Sequence, residues 1–281
     1  MTTLPEISFT ALSLPTGESV WIPADVNLQL PAATSIDRSL LHCLIYIPWD
    51  DKYMKLVPLE YRDFFQVVLP YLHVRTTDVH VATCLPFAKE LLRADRESVD
   101  ERVVHLAFIL HDAGWSQMTE QEIADSLGVA GLALSGAAVN PKARHVELGK
   151  ELAQRILGEY AFQPPLTQRQ EDLIYQAILY HDQPQQLAVT AGIAPSSRMV
   201  CDVDHLWSFT HENFWQDAVR KGVDPRVYLK NLENDLDSYL VSEPARRKAR
   251  HMLAARNAEV AAWEDWASSR HRAAETHRQT D

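Results

Sequence analysis

The segment spanning residues 103–110 restricts the fold of this chain more than any other. It is apolar apart from one histidine, so it must be buried. Acidic residues precede it and Gly114 follows it, which predicts a helix over about residues 99–112. His111 and Asp112 end that helix, so it carries two metal-binding side chain types to a buried place. A carboxylate there needs a partner.

Apolar residues recur at helical spacing along the rest of the chain, and Pro or Gly residues separate the periodic segments. Asp78, Thr119 and Thr167 are predicted N-caps. The predicted helices cover residues 35–41, 59–72, 78–93, 99–112, 119–127, 141–160, 167–181, 196–209, 212–220, 226–240 and 245–270. This pattern predicts an all-α fold, built as a helical bundle.

The same pattern divides the chain into three parts. Residues 1–57 are predicted to form an irregular N-terminal arm, rich in Pro, Thr and Ser, with one hairpin and packed on the body. Residues 58–222 form the helical domain that carries the candidate site. Residues 223–281 form a C-terminal helical extension, and we expect its polar end to fray.

Composition and charge exclude several classes of protein. The net charge of -11 disfavours binding to nucleic acid or to an anionic membrane surface. The sequence contains no apolar run of the roughly 18 residues that a membrane span needs, and no signal peptide, so we expect a cytoplasmic protein. Its 3 cysteines form no CxxC pair, which argues against disulfides and thiolate zinc sites. Assembly into a homo-oligomer stays open.

Residues that can bind metals recur at wide intervals, each near an apolar helical segment. The set is His80, His111, Asp112, His145, His181 and Asp204, with Asp202 as an alternative to Asp204. Two interpretations are open. The histidines are either scattered core residues or the ligands of one metal centre, and the His-Asp pair favours a metal centre because its carboxylate must be paired.

The order of these residues resembles that of the HD-domain superfamily of metal-dependent phosphohydrolases. The family pattern is His, then His-Asp, then Asp on successive helices, with two further histidines before the last Asp in two-metal members. Three segments carry the resemblance, which covers about residues 75–210: Asp78-Val79-His80, Ile109-Leu110-His111-Asp112 and Val203-Asp204-His205-Leu206. The resemblance implies an HD-like helical bundle and selects Asp204 over Asp202.

The resemblance also implies the ligand set. His80, His111 and Asp204 would hold one divalent metal ion and His145 with His181 another, while Asp112 bridges the two. One or two ions are implied, of Mn, Fe, Mg, Co or Ni. In such a site Asp112, His145 and His181 are catalytic residues, because paired ions can lower the pKa of a shared water and orient a phosphoryl group.

Three cations near the ligands are candidates for substrate binding. Arg75 precedes His80 by five residues, and Lys142 and Arg144 flank His145. Their charges could neutralise the phosphate oxygens of a small anionic, nucleotide-like substrate, or they could be solvated charges at helix ends. The remaining histidines are interpreted as structural or solvated, and Asp182 as a cap or a solvent-facing residue. Trp115 and the other tryptophans are interpreted as core or pocket wall.

Two other functions stay open. Some HD-fold proteins hold a mixed-valent di-iron pair and act as oxygenases. Their phosphonate-type members carry a further histidine four residues after the first residue of the His-Asp pair, where this chain has Trp115, although inositol-type members lack it. The other alternative is a sensor module that binds a nucleotide without turnover.

Overall fold

The computed structural model describes residues 7–26, 47–94, 99–127 and 140–278. Two antiparallel strands, β1 (Phe9–Ser13) and β2 (Ser19–Pro23), precede the helices. The helices are α1 (Asp51–Met54), α2 (Arg62–Leu72), α3 (Thr77–Ala94), α4 (Glu101–Leu110), α5 (Glu120–Leu127), α6 (Pro141–Glu159), α7 (Gln168–Tyr180), α8 (Pro184–Val189), α9 (Pro195–Leu206), α10 (His211–Lys221), α11 (Pro225–Tyr239) and α12 (Glu243–Arg278). Short 3₁₀ turns cover Leu59–Tyr61, Ala113–Gln117 and Trp207–Phe209.

The prediction of an all-α fold is confirmed, because the structure is 73% helical and its described sheet has only two strands. No helix among the described residues is both long and apolar enough to span a membrane. The predicted hairpin is present as β1 and β2. Its inward side chains, Leu12 and Ile22, join the main core.

Helix α4 lies at the centre of the bundle. Each residue from Val103 to Leu110 is buried, and α3, α7 and α9 pack around it. Full burial of a Leu or Phe side chain contributes about 1.5–3 kcal/mol to folding, so this segment is a strong anchor for the elements around it. The residues that follow it are therefore held in a fixed position.

Several predicted helix boundaries are wrong in detail. The helix predicted to run to Asp112 ends at Leu110, and a 3₁₀ turn follows it. Pro184, predicted only to limit α7, occupies the first turn of α8. Asp78, predicted as an N-cap, lies inside α3, where it pairs with His73 and accepts a hydrogen bond from the Val79 N–H.

Other predictions agree more closely with the structure. Thr119 with Glu122 and Thr167 with Gln170 form the reciprocal hydrogen bonds of capping boxes. The helix predicted over residues 196–209 is present as α9 followed by a 3₁₀ turn, and α12 is longer than predicted. The helix predicted over residues 35–41 lies outside the described residues.

Candidate metal centre

Six predicted ligands from five helical segments meet at one end of the bundle. His80 comes from the first turns of α3, His111 and Asp112 from the end of α4, His145 from α6, His181 from the end of α7 and Asp204 from α9. Three overlapping groups of these residues each bring their ligand atoms within 4.8 Å of one another. All four histidines are buried, and the two carboxylates are largely buried. The structure therefore brings together the whole set that the sequence singles out.

Gly114 allows α6 to approach the turn that carries the His-Asp pair. A Cβ atom added to Gly114 would lie 2.0 Å from the main-chain oxygen of His145 and 2.5 Å from the nitrogen of Gly149. No larger side chain fits between these backbones. This contact brings His145 next to Asp112, because both lie beside the point where the backbones meet.

The two oxygens of Asp112 face two different pairs of histidines. Oδ1 lies 3.3 Å from Nε2 of His145 and 3.5 Å from Nε2 of His181. Oδ2 lies 3.6 Å from Nε2 of His111 and 3.6 Å from Nδ1 of His80. One carboxylate thus points one oxygen into each half of the cluster, which is the geometry required of a bridging ligand.

Asp204 completes the half that contains His80 and His111. Its Oδ1 lies 3.3 Å from Nε2 of His80 and 3.4 Å from Nε2 of His111. Both Nε2 atoms are buried and have no hydrogen-bond partner among the described residues. A buried polar atom without a partner is costly, so these nitrogens indicate that a further group belongs between them.

The tautomers of two histidines are fixed by the main chain. Nδ1 of His111 donates to the carbonyl of Phe108 at 2.6 Å, and Nδ1 of His181 donates to the carbonyl of Ile178 at 2.7 Å. With Nδ1 used as the donor, each ring can offer the lone pair of Nε2 to a metal ion in the cluster. Metal-binding histidines characteristically use one nitrogen for the metal and the other for such a hydrogen bond.

The distances within the cluster fit a metal ion. Nε2 of His145 and Nε2 of His181 are 3.2 Å apart. Two nitrogens that bind a tetrahedral ion at about 2.0–2.1 Å are separated by about 3.3 Å. Imidazole and carboxylate together suit divalent ions such as Mn, Fe, Co or Ni. The residues present can therefore hold a metal ion.

The charges of the cluster are balanced by protons when no metal is bound. Burial alone would lower the pKa of His80, but Asp112 and Asp204 outweigh it and raise the pKa to about 9. Burial would raise the pKa of Asp112, but the charge of His111 and the bonds from His145 and His181 hold it well below its usual range. The carboxylates thus require nearby positive charge, which a metal ion can supply in place of the proton.

Trp115 connects the cluster to a neighbouring cation. Its indole N–H donates to Oδ1 of Asp112 at 2.9 Å, and its ring stacks on His145 with centroids 4.2 Å apart. The guanidinium of Arg75 lies over the same ring, 3.8 Å from its centroid. Trp115 is a pocket wall, as predicted, and it also positions the carboxylate that faces both halves.

Only two of the three predicted substrate-binding cations line the adjoining cavity of about 430 Å³. Arg75 and Lys142 are in its wall, and Lys142 pairs with Asp182 at 3.0 Å. Arg144 instead pairs with Glu122 outside the lining formed by the described residues. Each residue of an α-helix is rotated by about 100° about the helix axis relative to the one before it. Lys142 and Arg144 are two residues apart, so they point to nearly opposite sides of α6 and do not face the same cavity.

Asp182 and His205 also line the cavity, and the sequence did not assign them to the site. Nε2 of His205 lies 3.7 Å from Oδ1 of Asp182 and 4.0 Å from Oδ2 of Asp204. Burial would raise the pKa of Asp182, but His205 and Lys142 lower it to about 2. A signal was present, because His181-Asp182 repeats the arrangement of His111-Asp112 at the end of an apolar helix.

Asp202 does not belong to the cluster, although it lies only two residues before Asp204. Its carboxylate accepts hydrogen bonds from the N–H groups of Val241 and Ser242, at 2.6 Å and 3.0 Å, and is fully buried there. The structure therefore selects Asp204, as the resemblance implied. Asp202 instead fixes the start of α12 against α9.

Comparisons with protein-family models, with curated proteins and with solved structures found no match.

Proposed function

We propose that this chain is a metal-dependent phosphohydrolase of the HD superfamily that hydrolyses a small, nucleotide-like phosphate ester. The observation that carries the proposal is the placement of Asp112. Its two oxygens face separate pairs of histidines, and the adjoining cavity is lined by cationic side chains. A carboxylate shared in this way is what a two-metal hydrolase requires.

The protein residues have distinct roles in this proposal. His80, His111 and Asp204 hold one ion, His145 and His181 hold the other, and Asp112 contributes to both. When bound, the ions supply Lewis-acid activation of water and stabilise negative charge on the phosphoryl oxygens. The carboxylate of Asp112, fixed by Trp115, sets the separation of the two halves.

Cations in the cavity wall support a phosphorylated substrate. Arg75 and Lys142 lie on the side of the cavity next to the cluster, where they can neutralise charge on a bound phosphate. The partly enclosed site also limits access of bulk water, which strengthens these interactions.

The test is metal-dependent phosphate release. Protein stripped with a chelator is reloaded separately with Mn, Fe, Co, Ni or Mg and assayed against nucleoside monophosphates and sugar phosphates. We expect release of phosphate with at least one metal. Iron loading with O₂ consumption and no phosphate release would instead favour an oxygenase, and tight nucleotide binding without turnover would favour a sensor.

A matched pair of variants links any activity to the cluster. Asp204→Asn removes a cluster carboxylate, whereas Asp202→Asn changes a buried carboxylate that lies outside the cluster and accepts hydrogen bonds from the N–H groups of Val241 and Ser242. We expect Asp204→Asn to lose metal and activity, and Asp202→Asn to retain both with a lower melting temperature. Equal activity of the two variants would remove Asp204 from the site.

A further inference from the structure

Arg75 is a half-buried cation without an ion-pair partner among the described residues. Its Nε–H is buried and donates to no acceptor among the described residues, and its guanidinium lies over the ring of Trp115. Burial lowers the pKa of Arg75, Asp112 opposes this, and the positive charge of Arg220 adds to the lowering. A guanidinium placed in this way needs an anion that the described residues do not supply.

The backbone that presents Arg75 is strained. Arg75 and Thr76 have φ values of 57° and 61°, in the left-handed region that non-glycine residues rarely adopt. Such a conformation is unfavourable for a residue with a side chain, so the surrounding structure must hold it in place. Strained positions of this kind cluster at binding sites, and here the strain lies in the turn that leads into α3 and His80.

A second arginine faces the same cavity from α10. Arg220 pairs with Oδ1 of Asp217, but its Nε is buried and has no hydrogen-bond partner in the described part of the chain. Its side chain is only 11% exposed. Gln216, one helical turn before Arg220 on the same face, lies 3.5 Å from the hydroxyl of Thr76. This contact brings the turn that carries Arg75 against the face of α10 that carries Arg220.

The charges of the cavity wall do not balance outside the metal cluster. Its cations are Arg75, Lys142, Arg220 and Lys221, and its carboxylates apart from Asp112 and Asp204 are Asp182 and Asp217. With Asp112 and Asp204 set aside and the histidines counted as neutral, the described lining has four cations and two carboxylates, an excess of two positive charges. An excess of two matches a phosphate-type dianion better than a singly charged carboxylate.

We propose that Arg75 and Arg220 together form the subsite that binds a phosphate-type dianion of the substrate beside Asp112. Guanidinium groups suit this task because their planar donors match the oxygens of a tetrahedral anion. Trp115 lies between the subsite and the cluster, so a dianion held by Arg75 is next to the carboxylate that faces both histidine pairs. The inference deepens the proposed function, on which it rests, by naming the charge class of the substrate.

The test measures binding of inorganic phosphate to the chelator-treated, metal-free protein by calorimetry, so it does not depend on turnover. We expect Arg75→Gln and Arg220→Gln each to weaken phosphate binding by about tenfold or more. The matched control is Arg250→Gln, which removes an exposed arginine paired with Glu243 away from the cavity. It should leave binding unchanged. Acetate should bind at least about tenfold more weakly than phosphate.

Conservative variants keep the test interpretable if the neutral variants unfold. Arg220→Lys retains a positive charge for Asp217 and Arg75→Lys retains the local charge, yet both lose the guanidinium donors. Each should melt close to the wild type and bind phosphate more weakly. Wild-type affinity in either arginine-to-lysine variant, or equal affinity for acetate and phosphate, would overturn the subsite.

The two proposals can fail separately. Phosphate binding that depends on Arg75 and Arg220, together with no phosphate release from any ester, would refute the hydrolase and leave the subsite standing. Metal-dependent hydrolysis with phosphate binding that is insensitive to both arginines would refute the subsite and leave the hydrolase standing.

Discussion

Two buried clusters of histidine and carboxylate in this molecule differ in how completely they are paired. In the first, Glu259 accepts hydrogen bonds from His211, Trp215 and Arg256, and the second ring nitrogen of His211 contacts the carbonyl of Trp21 at 3.0 Å. In the candidate metal centre, by contrast, the Nε2 atoms of His80 and His111 have no hydrogen-bond partner among the described residues and lie 3.3 Å and 3.4 Å from the same oxygen of Asp204. The paired cluster joins α10, α12 and the hairpin, whereas the candidate metal centre presents nitrogens that could bind a further ligand.

Missing partners alone do not identify a site. Nε2 of His105 is also buried without a partner, but it belongs to none of the metal-binding groups formed by the described residues. What distinguishes the candidate metal centre is that two such nitrogens, Nε2 of His80 and Nε2 of His111, approach the same carboxylate oxygen of Asp204. Five predictions test this distinction, beginning with the largest expected effect.

Substitution of the central carboxylate should remove metal binding in one cluster and lower the stability of the fold in the other. Asp112→Asn should weaken metal binding by more than about 100-fold, and activity should be lost with it. Loss of a hydrogen-bond partner of a ligand costs about 10–100-fold, and loss of the ligand itself should cost more. Glu259→Gln should lower the free energy of unfolding by about 3 kcal/mol, because it leaves buried cationic partners unpaired. Metal analysis and thermal melting of both variants check this, and a metal-replete Asp112→Asn protein would contradict it.

Removal of a single histidine should separate the two halves of the metal centre. His145→Ala should lose the ion held with His181 while the half with His80 and His111 keeps part of its occupancy. The control is His105→Ala, which removes a buried histidine outside the groups and should keep the full metal content. Mass spectrometry of the native proteins counts the ions, and unchanged occupancy in His145→Ala would remove His145 from the ligand set.

Metal affinity should increase with pH. In the metal-free protein His80 holds a proton with a pKa of about 9, above its ordinary value of 6.5, and an incoming ion must displace it. Affinity should therefore rise by up to about tenfold per pH unit below that pKa and level off above it. Competition with a chelator across this window measures the slope, and affinity independent of pH would contradict the assignment.

The same shift affects the stability of the metal-free protein with a defined sign. Because the folded-state pKa of His80 is raised, its stabilising contribution is complete below pH 6.5 and is lost as pH rises through about 9. Melting temperatures of metal-free protein should fall across this range as far as His80 contributes, and metal-loaded protein should not show that loss.

The smallest effect is expected from loss of one indole hydrogen bond. Trp115→Phe keeps an aromatic ring beside His145 and Arg75 but removes the donor to Asp112, so metal affinity should fall about tenfold. Trp215→Phe removes the equivalent donor to Glu259 and should lower stability by about 1 kcal/mol without changing metal affinity. Equal metal affinity in the Trp115 variant and the wild type would show that this bond does not position Asp112.

The helical periodicity of the sequence predicted most of the described fold, and the resemblance to the HD-domain superfamily selected the six candidate ligands. It failed at Pro184, where a proline begins a short helix after only a brief break in the chain. It also could not distinguish Lys142 from Arg144, because proximity in sequence does not reveal which side of α6 faces the cavity.

The sequence indicated one of the two arginines of the proposed anion subsite. Arg75 was a candidate from its distance to His80, but Arg220 lies far away in the chain and reaches the cavity only through the packing of α10. The left-handed backbone at Arg75 and Thr76 had no signal either, since neither residue is a glycine or asparagine. Tertiary packing imposes this conformation, and local sequence preference argues against it.

The central claim is that the candidate metal centre holds two ions that share Asp112 as a ligand. The most direct measurement is the number of divalent ions bound per chain when chelator-treated wild-type protein is titrated to saturation and analysed by native mass spectrometry. The account predicts two ions per chain. A protein that saturates with no ion would contradict the metal centre, and one that saturates with a single ion would contradict the bridging role of Asp112.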